Sequence, residues 1–179
     1  MKFTITNLKK ELGKKTKKEL VQEISALCQK FPQVREYYKM QTDAAEDVRS
    51  VMKHYKNIIE KEFVDGKTRG NPKARFSVAK KAVNDFKKLT KNPELIADIM
   101  LTYVESISAF NSEFFPDSEE FYVRPVDMFE DVLKFLEKKD LLDKFQKRAY
   151  LIVVNADDNY GFCDCIQDRY EEVYGELEE

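Results

Sequence analysis

Apolar residues recur every three or four positions along most of the chain, which is the spacing of an amphipathic α-helix. The stripe Leu20, Ile24, Leu27 and Phe31 is typical, and similar stripes follow as far as the C-terminal segment. No segment has a convincing strand pattern. We therefore predict an all-α fold of seven to nine amphipathic helices, packed as an irregular antiparallel array or bundle. A helical-repeat arrangement remains an alternative.

Local signals mark where several of these helices begin and end. Gly13 stands where a C-terminal cap belongs, and Thr16 with Glu19 forms a capping box for the next helix. We expect Asp43 and Ser77 to be N-caps of later helices. Asn92 followed by Pro93 is a further start signal, because proline fits the first helical position.

The helix that starts at Pro93 is apolar on more than one side as far as Phe114, which predicts that it lies at the centre of the fold. We expect Pro125 to kink or split the segment 118–139, since proline removes a helical hydrogen bond. The run Leu151–Val154 favours a strand by composition, but helical spacing on both sides predicts helix.

Charge divides the chain into two unlike halves. Residues 1–91 hold 23 Lys and Arg against 11 Asp and Glu, a net charge of +12, whereas residues 92–179 hold 8 against 22, a net charge of −14. Because the central helix starts where the sign changes, we predict one domain, residues 1–179, with the polar loop 65–75 as its sub-boundary. We expect the halves to neutralise each other mostly within the chain. Pairing between chains and open binding faces are the alternatives.

A modest basic patch should remain around the loop 65–75. A helix that starts beside lysines and arginines is suited to bind an anion, because its first amides are free. The N-terminal segment also weakly resembles a SAP-type helix pair that binds DNA, although its connection is short and lacks the marking glycine. The candidate contacts to an anion or nucleic acid are Lys67, Arg69, Lys73, Arg75 and Ser77.

Neither a membrane nor an export route is indicated. The sequence has no apolar run long enough to span a bilayer and no signal-type stretch at its start. Its three cysteines, an odd number, argue against a disulfide framework and favour a reducing compartment. We expect a cytoplasmic location.

Sites for metals and cofactors are poorly supported. Cys163 and Cys165, with His54 as the sole histidine, do not form a zinc set, and we expect buried, unreactive thiols. The turn 155–161 matches no register of a calcium loop, and we expect a helix-capping turn there. Phosphate-loop and dinucleotide motifs are missing. We therefore predict no metal and no cofactor, and no catalytic residue can be named.

Eight segments together resemble a known family. They are LKKELGKKTKKELVQEI, FPQVREYY, YKNIIEKEF, ARFSVAKKAVNDFKKL, PELIADIMLTYVE, SEEFYVRPVDMFEDVLKFL, LLDKFQKRAYLIV and DDNYGFCDCIQDRYEEVYG. Their order and spacing are similar to those of a bacterial, all-helical family of uncharacterised proteins, the domain of unknown function 6155 family. The resemblance implies a bacterial, cytoplasmic protein and brings no catalytic residue with it. Where the family often has a histidine after Gly-Phe, this chain has Cys163.

These observations favour a non-catalytic protein that binds a macromolecule, with an unidentified protein partner. The alternative is a binder of nucleic acid or another polyanion through the basic N-terminal half. An enzyme with a carboxylate-lined pocket between helices is the third hypothesis. The oligomeric state stays open.

Overall fold

In a computed structural model, residues 3–42, 44–64 and 72–177 are described, and their secondary structure is helical without a strand. The all-α prediction is confirmed. The helices are α1 Ile5–Leu12, α2 Lys17–Lys30, α3 Pro32–Gln41, α4 Ala45–Phe63, α5 Phe76–Leu89, α6 Pro93–Phe114, α7 Glu120–Lys138, α8 Leu142–Val154 and α9 Phe162–Tyr174, and a 3-10 turn, Asn159–Gly161, precedes α9.

Two of the four predicted start signals, Thr16 and Asn92, act as expected. The Thr16 hydroxyl accepts the Glu19 amide, and the Glu19 carboxylate accepts the Thr16 amide, so the capping box is confirmed. The Asn92 side chain accepts two amides of the first turn of α6, and Gly13 caps α1. The Ser77 cap is wrong: α5 begins one residue earlier, so Ser77 is its second residue. The predicted cap Asp43 lies outside the described residues.

The chain divides into two compact units, residues 1–48 and 49–179. In the first unit α2 packs against α3, and Met40 is the one buried residue among those described. The predicted single domain and its sub-boundary at 65–75 stay predictions, and residues 65–71 of that loop lie outside the described ranges.

Helix α6 is the centre of the second unit, as predicted from its apolar faces. Twelve of its residues are buried, and it packs against α5, α7 and α8. Phe63 of α4 makes edge-to-face ring contacts with Tyr103 and Phe110 of α6. The core therefore forms around the most apolar helix of the chain.

Helix α7 is continuous with Pro125 inside it, so the predicted split is wrong, whereas the predicted kink stays a prediction. Proline has no amide hydrogen, and its position would leave the carbonyl of Phe121, four residues earlier, without its helical donor. The buried side chain of Asn111 in α6 supplies one: its amide nitrogen donates to the Phe121 oxygen at 2.9 Å. A donor from the neighbouring helix thus lets α7 run through the proline.

Candidate functional site

The predicted anion contacts are only partly described. Lys67 and Arg69 lie outside the described residues. Lys73 and Ser77 are exposed. Arg75 is bound to a carboxylate of its own chain, so its guanidinium is already engaged.

That carboxylate belongs to Glu62, a buried acidic residue in the last turn of α4. Arg75 donates to it from Nε at 2.8 Å and from Nη2 at 2.7 Å, and the Arg75 amide adds a longer contact. The Ala74 amide also donates to the Glu62 carbonyl, at 2.7 Å. The side-chain hydrogen bonds from Arg75 hold the pKa of Glu62 below its usual value, although burial acts in the opposite direction. This pair fixes the backbone immediately before α5.

Ser77 lines a cavity of about 580 Å³ between α5 and the first turns of α7. We call this cavity the α5 groove. Its polar and charged lining consists of Ser77, Lys80, Lys81, Asn84, Asp85, Lys88, Glu120 and Arg124. The lysines could be suspected from the polar face of α5. Arg124 could not, because sequence does not indicate that α7 lies beside α5.

The two halves of opposite charge are joined by a direct ion pair in the described part of the chain. Among the ion pairs of the described residues, Lys56–Asp98, at 2.6 Å, joins residues 1–91 to residues 92–179. Other pairs of the described residues lie within one half, such as Arg75–Glu62. Lys56–Asp98 is thus a close pair between the halves, and mutual neutralisation within the chain stays a prediction.

Arg148 of α8 organises a network of charges with α6. It binds Glu105 of α6 with two nitrogens, at 2.6 and 2.7 Å, and also donates to Asp98 and to the Thr102 hydroxyl. Burial lowers the pKa of Arg148, but the hydrogen bonds and charges of Glu105 and Asp98 outweigh it and hold this pKa above its usual value. A permanently charged guanidinium bound in this way joins α8 to α6.

A second cavity, of about 460 Å³, lies between α6 and α8. Its lining is mostly small or apolar, with Ser108, Ala109 and Leu151, and its carboxylate is Glu105, which Arg148 already binds. In neither of these two cavities do carboxylates face each other without a cation. The geometry gives no support to the hypothesis of a carboxylate-lined active site in them.

The acidic turn before α9 forms a local structure of its own. The Asp157 carboxylate accepts the Asn159 amide, and the Asp157 carbonyl accepts the Cys163 amide. Tyr160 adopts the left-handed conformation, and its hydroxyl donates to Asp117. Within the described residues, no group of three or more His, Cys, Asp or Glu side chains is arranged to hold a metal ion.

The cysteines are free, but the expectation of buried thiols is wrong. Cys165 is exposed, and Cys28 and Cys163 are half-buried. Burial and the nearby carboxylates of Asp158 and Asp164 raise the pKa of the Cys163 thiol. A raised pKa keeps the less nucleophilic thiol form, so this environment does not activate Cys163. His54, also exposed, makes an edge-to-face contact with Tyr55.

The first unit exposes apolar side chains. From the sequence pattern alone, these residues could equally have been core residues. Helices α1 and α2 have no buried residue, although both carry apolar stripes at helical spacing. We call the exposed members of these stripes the N-terminal apolar face: Ile5, Leu8, Val21, Ile24, Leu27 and Phe31, which are between 37% and 62% exposed.

Lysines accompany the N-terminal apolar face. Lys14 and Lys15 are paired with glutamates of the same unit. Four others are exposed and have no ion pair among the described residues: Lys9, Lys10, Lys17 and Lys18. The first unit therefore combines exposed apolar side chains with unneutralised positive charge.

Fold and surfaces together define an all-helical protein with an exposed basic and apolar N-terminal unit and a helical core unit. The chain belongs to a family of unknown function, DUF6155, whose model matches residues 3–171. No curated protein and no solved structure matches the chain. None of the helices in the described ranges is long and apolar enough to cross a membrane.

Proposed function

We propose that this protein is a non-catalytic interaction protein, and that it binds an acidic amphipathic helix of a partner protein on its N-terminal apolar face. The observation that carries the proposal is the exposure of the apolar stripes of α1 and α2. Complete burial of one Leu or Ile side chain stabilises a structure by about 1.5–3 kcal/mol. In α2 the exposed apolar residues have helical spacing and so lie on one side of the helix, and such patches are typical of interaction sites because they forgo that gain until a partner covers them.

Charge decides which partner fits. The unpaired lysines beside the face would attract carboxylates at the rim of the contact, which favours encounter and orientation. A helix is the appropriate shape, because the stripe Ile24, Leu27 and Phe31 runs along α2 and can pack against a second apolar stripe. A basic partner would meet like charges.

The proposal can be tested with two designed helical peptides that share one leucine stripe, flanked by glutamates in one and by lysines in the other. Binding of each labelled peptide to the full chain is measured by fluorescence anisotropy. The expected result is that the glutamate peptide binds at least about tenfold more tightly, a difference that rim charges can supply and that salt reduces.

Two double variants are compared. The face variant carries Ile24→Asp and Leu27→Asp on the N-terminal apolar face. The control variant carries Gln22→Asp and Ala26→Asp on the opposite side of α2. Both add the same charge, and since all four residues are outside the core, both should fold. Loss of binding in the face variant alone supports the proposal. Equal binding of the two peptides, no binding of either, or equal loss in both variants would overturn it.

The alternative function, binding of nucleic acid through the basic half, is favoured by the exposed lysines before and along α5. Lys73→Glu tests it without disturbing the pair of Arg75 and Glu62. Oligonucleotide binding that is weakened by this variant and falls steeply with salt would support the alternative, because each neutralised phosphate releases counterions. A titration at low ionic strength without binding would remove it.

We also propose a bacterial, cytoplasmic setting. The cytoplasmic part is supported by the cysteines, which are free in the described structure, and by the odd cysteine count of the chain, while the bacterial part rests on the family resemblance. Fractionation of cells that express the chain, followed by detection in the soluble fraction, is the direct measurement. Recovery from an exported fraction would contradict this setting.

A further inference from the structure

We propose that the α5 groove is a binding site for the phosphate group of a small phosphorylated molecule. This site lies within the second unit and is independent of the N-terminal apolar face. Of the residues that line the groove, Ser77 is one of the anion contacts predicted from the sequence. The other lining residues were not predicted as anion contacts.

The first support is the charge balance of the groove. Four cationic side chains line it against two carboxylates, so the lining carries a net charge of +2. Asp85 binds both Lys81 and Lys88, and Glu120 binds Arg124. Lys80 has no carboxylate partner in the part of the chain that the structure describes. A phosphate dianion would match the uncompensated charge.

Crowding of the lysines on α5 is the second support. Lys87 is partly buried, and burial is the main cause that lowers its pKa, with the positive charge of Lys80 as a further cause. Lys80 thus acts on its neighbour as an unneutralised cation. An anion bound beside Lys80 would relieve this repulsion.

Hydrogen-bond donors and shape complete the site. Ser77 and Asn84 line the groove, and neither side chain has a hydrogen-bond partner among the described residues. Arg124 lies over the ring of Phe76, with its guanidinium carbon 4.9 Å from the ring centre; its Nη2 binds Glu120, and its other N–H groups are held at the edge of the groove. Arginine forks suit phosphate oxygens. The volume of about 580 Å³ falls within the usual range for small-molecule sites.

The experiment is isothermal titration of the full chain at low ionic strength with inorganic pyrophosphate, with ATP and with a short single-stranded oligonucleotide. Citrate serves as a control anion that lacks phosphate. We expect saturable binding of pyrophosphate or ATP, weaker binding of citrate, and a loss of about tenfold or more in affinity for Lys80→Ala. The matched control is Lys138→Ala, which removes an exposed lysine outside the groove and should leave the affinity unchanged.

Arg124→Lys provides a second variant, since it keeps the positive charge but loses the fork, and it should weaken binding while the chain stays folded. The proposal is overturned if neither small phosphate binds saturably, if citrate binds equally well, or if Lys80→Ala and Lys138→Ala behave alike. Binding of the oligonucleotide alone, reduced equally by both alanine variants, would also overturn it in favour of a diffuse polyanion surface. None of these results depends on the peptide titration, so the two proposals can fail separately.

Discussion

The contact between Asn111 and the Phe121 carbonyl predicts that Asn111→Ala destabilises the second unit through α7. The substitution removes the donor that replaces the amide missing at Pro125. A buried carbonyl left without a partner costs about 1–3 kcal/mol. The Asn111 Oδ1 atom is itself buried without a hydrogen-bond partner, so its removal offsets part of this cost. We therefore expect a net loss of about 1–2 kcal/mol.

Replacing Pro125 itself allows a stricter test of this prediction. In a Pro125→Ala background, residue 125 has an amide that can donate to the Phe121 carbonyl within α7. Asn111→Ala should then cost less than it does beside proline. We expect a coupling energy of about 1 kcal/mol between the two substitutions, which is typical of groups that share one hydrogen-bond partner.

The assay is urea unfolding of the four chains of this cycle, followed by circular dichroism, because the sequence has no tryptophan. The control is Ser112→Ala, which removes an exposed hydroxyl that donates to Ser108 within α6 and should change stability by no more than about 0.5 kcal/mol. Equal costs of Asn111→Ala in both backgrounds would refute the idea that this side chain substitutes for the proline amide.

Three further predictions concern the core and the ion pairs. Because Arg75 lowers the pKa of Glu62 in the folded chain, the stability from this carboxylate is present above the unfolded pKa and is lost as pH falls through the lowered value. Glu62→Gln should therefore flatten the acid dependence of the urea midpoint, and an unchanged profile would contradict this linkage. Tyr103→Ala and Ile107→Ala should each cost about 2–5 kcal/mol in urea unfolding, and values near 0.5 kcal/mol would show that they are not core residues. Arg148→Ala should lower the free energy of unfolding by about 1.5–3 kcal/mol, whereas Lys144→Ala, at an exposed ion pair, should lower it by at most about 1 kcal/mol. Equal losses would contradict a stabilising role of the Arg148 network.

What could be predicted from sequence depended on how far a residue is from its partner along the chain. The bounds of α6 follow from Asn92, Pro93 and a continuous apolar pattern, all of them local signals, and the structure has the same bounds. The outcome at Pro125 depends on Asn111, fourteen positions away and on another helix. The missing hydrogen bond was foreseeable, but the side chain that replaces it was not.

The candidate site shows the same limit. The basic side chain of Arg75 suggests a contact to an anion. However, no local pattern indicates that Glu62 of α4 binds it. Ser77 and Lys80 lie on the polar face of α5, which is visible in sequence. They lie close to Arg124 only because α7 packs beside α5, so the α5 groove can be recognised only in the tertiary structure.

Helices of both units have an apolar face, but the two units differ in how far the rest of the chain covers that face. The apolar residues of α5 and of α2 have similar helical spacing. In α5 six of them are buried, namely Phe76, Ala79, Ala82, Val83, Phe86 and Leu89, whereas in α2 every one is at least partly exposed. Periodicity therefore predicts that a helix has an apolar face, but the face becomes core only where the rest of the chain closes over it. A unit of this size with Met40 as its one described buried residue has little core of its own, and small units of that kind usually depend on a further stabilising contact. That dependence, together with the unpaired lysines, is the physical reason to seek the function of the first unit in what it binds.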